Sequence, residues 1–376
     1  MSRFARRFLP ICLALLCLTG NLTCQAAAPS VSASAYVLMD ADSGRVLLAR
    51  GETEELPIAS TTKIMTALTA LAKSRLTDVV TVKREHLKEG SSMYLAEGET
   101  LTMEELLYGL MLPSGNDAAE CIADYCGGDG GTAAFVRRMN ETAAALGMTH
   151  TSFANPSGLD AEGHYSCALD MARLMARAMD DPTFAQIVST RTVKAGVRAM
   201  KNHNKLLGAV EGCIGGKTGY TGSAGRTLVT CAEREGLRLV AVTLHDGSDW
   251  DDHRALYDYG FSRYRAEAAV KRGAAYAMTT VQNGAVSAVP LVAAEPFSCA
   301  VAEDEELTLR VDAPETATAP VAAGEPLGTL RVLLDGAELG SVPLIAAHAI
   351  PAAEPSDVKN SLSERLRALF GARHRE

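Results

Sequence analysis

The order of strands and helices along the chain limits the folds open to it. Two apolar runs at 36–39 and 46–48 flank Asp42-Ser43-Gly44, a pattern typical of a β-hairpin. Strand-like runs return only after Gly219, at 226–232 and 237–244. Apolar periodicity predicts helices at 60–71, 103–111, 117–125, 131–146, 169–179 and 251–260. Strands at both ends with helices between them predict an antiparallel sheet flanked by helices, an α+β fold rather than an alternating βαβ array.

The character of the sequence changes at about residue 270. Asn283-Gly284 and Asp335-Gly336 are strong hairpin signals, and apolar residues alternate cleanly from Leu307 to Val311. We therefore expect two domains, the first at 29–265 and a small all-β domain at 270–350, followed by a linker at 351–355.

The first residues predict an exported protein. Arg3, Arg6 and Arg7 precede an apolar run at 9–18, and alanines at 26–28 suit signal-peptide cleavage, so we expect residues 1–27 to be removed. The run is shorter than the ~20 residues that a membrane-spanning helix needs. Thr23 does not provide the small residue expected before a lipidated Cys24.

Cleavage removes three basic and no acidic residues, which takes the formal net charge from −9 to −12. This strongly negative charge, without a cluster of basic residues, argues against nucleic-acid binding.

Six cysteines remain after cleavage, at 121, 126, 167, 213, 231 and 299. They form no CxxC pair, so a zinc ribbon or a thioredoxin-like site is not indicated. Most of them have apolar or small neighbours, where cysteine packs as a small hydrophobic residue. We expect free, buried thiols, although an exported chain could form disulfides.

Three short motifs carry the chemistry, and their joint occurrence in this order is far more specific than any one of them. They are Ser60-Thr61-Thr62-Lys63, Ser114-Gly115-Asn116 and Lys217-Thr218-Gly219. This combination is the signature of penicillin-binding proteins and class A β-lactamases. Taken singly, each has a structural explanation: a helix cap, a turn and a glycine-rich loop.

Elementary chemistry gives each motif a role. Ser60 and Lys63 share one helix face, and Ser60 lies in the first turn, where the helix dipole favours a developing alkoxide. Lys63 can act as a base if burial and a nearby cation, Lys217, lower its pKa. Ser114 can pass a proton to the leaving amine, and the Asn116 amide can hold the substrate backbone.

The third motif predicts a binding element for the end of the substrate. The charge of Lys217 and the hydroxyl of Thr218 suit a terminal carboxylate, while Gly219 allows close backbone approach.

Other kinds of site fit poorly. Gly216-Lys217-Thr218 resembles the end of a Walker A motif, but Glu211 occupies the position of the first glycine. Neither G-x-S-x-G nor H-E-x-x-H occurs, so we expect no α/β-hydrolase site and no cofactor. The acidic and histidine residues at 245–253 match no standard metal motif, and we interpret them as a capped, solvated helix start.

Longer stretches around the motifs resemble peptidase family S11, the low-molecular-mass penicillin-binding proteins that act as D-Ala-D-Ala carboxypeptidases. The resemblance rests on residues 57–66, 112–119, 202–207 and 216–221. It implies Ser60 as nucleophile, Lys63 as base, and an oxyanion hole from the backbone N–H groups of Ser60 and Tyr220. It also implies peptidoglycan stem peptides as substrates and acylation of Ser60 by β-lactams. Residues 211–216 depart from the family pattern, which leaves the local strand geometry open.

Two other functions share part of this pattern. A class A β-lactamase needs a glutamate in an E-x-x-L-N loop, and Glu120, Glu141 and Glu162 do not fit. A non-catalytic wall-binding protein of the same fold would not need the three motifs intact. We therefore predict a D-Ala-D-Ala carboxypeptidase; stem-peptide trimming in the vegetative wall and in the spore cortex both remain open.

The C-terminal tail, residues 356–376, predicts an amphipathic helix. Apolar side chains at 358, 362, 366, 369 and 370 form one stripe, and five basic against three acidic residues give a formal charge of +2. One interpretation is an anchor at the membrane surface. The alternative is a helix docked on the β-domain.

Overall fold

The computed structural model describes residues 27–354, in two parts. The signal segment and the C-terminal tail fall outside this range, apart from Ala27. The first part contains seven helices: α1 (Lys63–Leu71), α2 (Met103–Met111), α3 (Asn116–Gly127), α4 (Gly131–Ala145), α5 (Ala168–Met179), α6 (Pro182–Ser189) and α7 (Asp249–Arg263). Its strands are β1 (Ala35–Asp40), β2 (Val46–Arg50), β3 (Val79–Thr81), β4 (Thr100–Thr102), β5 (Thr192–Ala195), β6 (Arg198–Lys201), β7 (Cys213–Thr221), β8 (Gly225–Arg234) and β9 (Leu237–Leu244).

The central sheet has the order β2-β1-β9-β8-β7, and every neighbouring pair is antiparallel. Strands from the two ends of the first part therefore meet in the middle of the sheet, which confirms the predicted α+β class. Helices α1 to α6 cover one face over a large apolar core. Helix α7 packs on the other face, where Leu256 and Tyr257 are buried. Strand β7 lies at an edge, so one side of its backbone is open to another chain.

The second part is an all-β unit, as predicted. Its strands are β10 (Tyr264–Val270), β11 (Ala275–Gln282), β12 (Ala288–Ala293), β13 (Phe297–Ala302), β14 (Leu307–Asp312), β15 (Thr316–Thr318), β16 (Pro326–Leu334) and β17 (Ala337–Ala346). Six form a sheet in the order β14-β16-β17-β12-β11-β15, and β10 pairs with β13. Both expected hairpins are present, with Asn283 and Asp335 in left-handed backbone conformations.

Specific contacts join the two parts. The Asp40 carboxylate at the end of β1 accepts a hydrogen bond of 2.8 Å from the Ala300 N–H in β13. Arg45 donates to the Ala300 carbonyl at 2.7 Å and forms a short ion pair with Glu305. The second part is thereby fixed to the β1–β2 end of the central sheet, and it contributes no residue to the cleft described below.

Three expectations need correction. Helix α6 was not predicted, although Asp181 caps it through two backbone N–H groups and Pro182 starts it. The strand that carries Lys217 begins at Cys213, earlier than the predicted return of strands after Gly219. The third correction concerns the region 245–253, which does begin a helix but is only partly solvated: His253 is fully buried and hydrogen-bonded to Thr230 and Thr243.

The six cysteines of the described chain are free; five of them are buried, and Cys213 is half-buried. Between residues 27 and 354 no helix is both long and apolar enough to cross a membrane.

Candidate active site

Ser60 lies on a tight turn that several hydroxyl groups hold in place. A single 3₁₀ turn, Ala59–Thr62, comes before α1, so the predicted helix start is wound more tightly than an α-helix. The backbone of Ala59 is left-handed, with φ at 47°. Such a conformation is strained for alanine and persists only where the surroundings impose it. The Ile58 carbonyl accepts hydrogen bonds from the Thr61 and Thr227 hydroxyls, at 2.6 and 3.1 Å.

Lys63 is completely buried beside Ser60. Its Nζ donates to Asn116 Oδ1 at 2.8 Å and to the Ser157 carbonyl at 2.5 Å, and it lies 2.9 Å from Ser60 Oγ, within hydrogen-bond distance. Burial, and then the charge of Lys217, lower the pKa of Lys63 well below its ordinary value. A neutral amine at this position can accept the proton of the Ser60 hydroxyl.

Ser114 and Asn116 come from the turn that leads into α3. Ser114 is buried, its φ is +66°, and its Oγ has no hydrogen-bond partner among residues 27–354. A hydroxyl without a partner, held in a cleft by a strained backbone, is free to bind a ligand or to transfer a proton. The Asn116 amide also donates to the Glu89 carbonyl at 2.7 Å, which holds its carbonyl oxygen in place to orient Lys63.

The third motif lies on the edge strand β7. Lys217 is only 1% exposed, and its Nζ donates to the Thr218 carbonyl at 2.8 Å. Burial lowers the pKa of Lys217 to about 7. A Cβ atom on Gly219 would lie 2.3 Å from Thr227 Oγ1 and 3.0 Å from the Ser60 nitrogen. Only glycine therefore lets the strand approach the Ser60 turn this closely.

These elements line one cleft with a volume of about 720 Å³. Ser60, Ser114, Thr218, Gly219 and Tyr220 all face it, whereas Lys63 and Lys217 lie behind its surface. Tyr220 is 71% exposed at the mouth. The structure thus brings all three sequence motifs together around Ser60.

Sequence reasoning missed one wall of the cleft. Lys205 and Arg226 each lie 5.7 Å from the ring centre of Trp250, and Arg226 forms an ion pair of 2.6 Å with Asp249. Lys205 lies in the segment 202–207 that carries part of the resemblance, whereas Arg226 and Trp250 belong to no motif. Lys205 gives this wall a positive charge, because the charge of Arg226 is offset by Asp249.

The acidic and histidine residues at 245–253 do not form a metal site. No group of three or more metal-ligating side chains in suitable positions occurs in the part of the chain that the structure describes. Asp246 and Asp252 instead bind Ser32 through hydrogen bonds of 2.8 and 2.7 Å and attach the start of the described chain to α7.

The family model for D-alanyl-D-alanine carboxypeptidase, peptidase S11, matches residues 22–248. The chain belongs to this family. A second model, the C-terminal domain of penicillin-binding protein 5, matches residues 264–352. Both matches confirm the resemblance expected from the sequence. As a member of the family, this protein is a serine-type, penicillin-binding D-Ala-D-Ala carboxypeptidase of peptidoglycan metabolism.

Individual relatives are similar along most of the chain. The carboxypeptidase DacF of Bacillus subtilis is 32% identical over 332 residues, which cover 84% of this chain and 85% of DacF. DacC of Escherichia coli is 34% identical over 339 residues, 85% of this chain and 84% of DacC. The crystal structure of penicillin-binding protein 5 from Haemophilus influenzae superposes with a TM-score of 0.77 at 28% identity, over 87% of this chain and 99% of that one.

Proposed function

We propose that Ser60 is the nucleophile that removes the terminal D-alanine of a stem pentapeptide in two steps. Neutral Lys63 takes the proton of the Ser60 hydroxyl as Oγ attacks the carbonyl of the penultimate D-alanine. The intermediate collapses to an ester on Ser60, and the free D-alanine leaves with a proton supplied through Ser114. Water then hydrolyses the ester and frees the enzyme. The hydrogen bond of 2.9 Å between Lys63 Nζ and Ser60 Oγ carries this proposal.

The edge strand and the Ser60 turn provide the positioning. The open side of β7 can pair with the extended backbone of the peptide, as an added strand does. The N–H groups of Ser60 and Tyr220 are our candidates for the oxyanion hole. Thr218, with the charge of Lys217 directly behind it, is our candidate to bind the terminal carboxylate. A β-lactam enters the same reaction because it presents a strained amide and a carboxylate to these groups.

The activity test uses the mature chain and a pentapeptide that ends in D-Ala-D-Ala. Mass spectrometry should find the tetrapeptide and one equivalent of D-alanine, and Ser60→Ala should abolish both. The matched control is Ser91→Ala, because Ser91 faces the same cleft but has no hydrogen bond to Lys63. Full activity of Ser60→Ala, or equal losses in the two variants, would exclude Ser60 as the nucleophile.

Export and membrane-surface attachment are further parts of the proposal. The charged and apolar segments before residue 28 support secretion. The amphipathic tail supports attachment to the outer surface of the cell membrane, close to newly made stem peptides. Flotation with anionic liposomes tests the tail: the mature protein should float, and a chain that ends at Ile350 should not. If both float alike, or if the truncation unfolds the β-domain, the docked-helix interpretation holds instead.

A further inference from the structure

The direction of the Ser60 N–H depends on the carbonyl of Ala59. The two groups belong to one planar trans peptide unit, so they point in opposite directions. The carbonyl accepts a hydrogen bond of 2.8 Å from Thr62 Oγ1. On the other side, a Cβ atom on Gly219 would lie 3.0 Å from the Ser60 nitrogen, at the wall of the cleft. Any group that fixes the carbonyl therefore also fixes the direction of the N–H.

His164 fixes the hydroxyl that holds this carbonyl. Its Nδ1 accepts from the Ala154 backbone N–H at 3.1 Å, which places the ring proton on Nε2. Nε2 then donates to Thr62 Oγ1 at 2.8 Å, and the hydroxyl hydrogen of Thr62 points to the Ala59 carbonyl. Burial lowers the pKa of His164 to about 4, so the ring is neutral when the enzyme works near pH 7.

The surroundings of His164 favour one position of its ring. The side chain is only 7% exposed, it packs edge-on against Phe153 at 5.9 Å, and it does not line the cleft. The loop before His164 packs closely against the same peptide unit, since a Cβ atom on Gly158 would lie 1.9 Å from the Ala59 oxygen. A buried polar ring with both nitrogens in use, two hydrogen bonds away from the nucleophile's amide, is well placed to transmit its orientation.

We propose that His164 is a positioning residue that aims the Ser60 N–H at the developing oxyanion through Thr62 and the Ala59 carbonyl. This inference rests on the proposed role of Ser60 as nucleophile. Loss of an oxyanion donor slows an acyl transfer on the order of 10²–10³-fold. Misdirection of a donor that is still present should slow acylation less, about tenfold to a hundredfold.

The experiment compares acyl-enzymes formed with penicillin in the wild type and in His164→Phe, Thr62→Val and Thr62→Ser. The infrared stretching frequency of the ester carbonyl reports directly on the hydrogen bonds that it accepts. His164→Phe and Thr62→Val should raise the frequency and slow acylation. Thr62→Ser keeps the hydroxyl and should therefore have the wild-type frequency and the wild-type rate of acylation. The matched control is Thr66→Val, which removes a buried hydroxyl that bonds the Pro156 carbonyl of the same loop and should leave the frequency unchanged.

The outcomes separate this inference from the proposed function. If the adduct in the wild type maps to a residue other than Ser60, the nucleophile assignment fails. If the adduct is on Ser60 but Thr62→Val acylates with the wild-type rate and frequency, only the role of His164 and Thr62 fails. Equal frequency shifts in Thr62→Val and Thr66→Val would also overturn it, because the effect would then come from general loosening. Thr62→Val keeps the size of the side chain, so the test remains available if His164→Phe does not fold.

Discussion

Lys217→Met removes an ammonium group that the folded chain buries to 1% exposure. Methionine has a similar length and no charge, so it fills the space without the desolvation cost of the cation. Catalysis should need the charge while the fold would be better without it. We therefore expect the variant to lose peptide hydrolysis and to gain stability, which is the usual conflict at a strained active site.

The size of the gain follows from linkage between protonation and folding. The pKa of Lys217 is about 7 in the folded chain against an ordinary 10.5. Below pH 7 both states hold the proton, and the folded state bears the full penalty; between pH 7 and 10.5 the unfolded state holds more protons, so stability rises with pH. The penalty is about 5 kcal/mol at pH 6 and about 2 kcal/mol at pH 9.

The lost hydrogen bond to the Thr218 carbonyl offsets part of this gain, by about 1.5–3 kcal/mol for a charged donor. The dependence on pH is therefore the sharper signature. Between pH 6 and pH 9, the stability advantage of Lys217→Met over the wild type should shrink by about 3 kcal/mol. Removal of Lys217 also raises the pKa of Lys63, which adds a stabilising effect of the same sign at low pH.

Urea unfolding followed by circular dichroism at pH 6 and pH 9 measures the difference, with peptide hydrolysis assayed on the same samples. The wild type measured in parallel cancels the other titrating groups. A variant that is less stable than the wild type at pH 6 would contradict the reasoning. So would a stability difference that is the same at both pH values, because the pKa of Lys217 would then be close to its ordinary value.

Three further predictions follow from the structure. The rate of acylation by penicillin should rise with pH and reach its plateau well below the ordinary lysine pKa of 10.5, because the lowered pKa of Lys63 leaves the amine neutral there; a plateau only near pH 10.5 would exclude Lys63 as the base. Gly158→Ala should cost about 3 kcal/mol or more in urea unfolding and slow acylation, since its Cβ atom would meet the Ala59 oxygen, whereas Gly163→Ala, also left-handed but in open space, should cost about 1–2 kcal/mol. Burial raises the pKa values of the six cysteine thiols, so iodoacetamide at pH 8 should label them only after unfolding, as counted by intact mass.

Local signals explain which elements the sequence predicts well. Helix α2 has the predicted bounds because Thr102 and Glu105 form a capping box ahead of an apolar stripe. The start of β7 was missed because its glycines have low strand propensity. Glycine at this position allows β7 to pack closely against α6, because a Cβ atom on Gly215 would lie 2.5 Å from the side chain of Val188.

Some residues of the active site can likewise be predicted from local signals, and others cannot. Ser60, Lys63 and Ser114 stand in motifs whose spacing follows from one helix and one turn, so the sequence alone brings them forward. The contact of the loop at 154–164 with Lys63 cannot be predicted, because it is made by the backbone carbonyl of Ser157 and any residue type has such a carbonyl. The buried network of His253 was misread for a related reason: charge and polarity in a sequence do not reveal which polar groups find partners inside the fold.

The central claim is that Ser60 forms an ester with the substrate while Lys63 accepts the proton of the Ser60 hydroxyl. The most direct measurement is peptide mapping by mass spectrometry after brief incubation with penicillin, in the wild type and in Lys63→Met. The account predicts one adduct per wild-type chain, on the peptide that contains Ser60, and its near-complete loss in Lys63→Met, because no other amine lies within hydrogen-bond reach of Ser60 Oγ in residues 27–354. An adduct on another residue, or wild-type labelling of Lys63→Met, would contradict it.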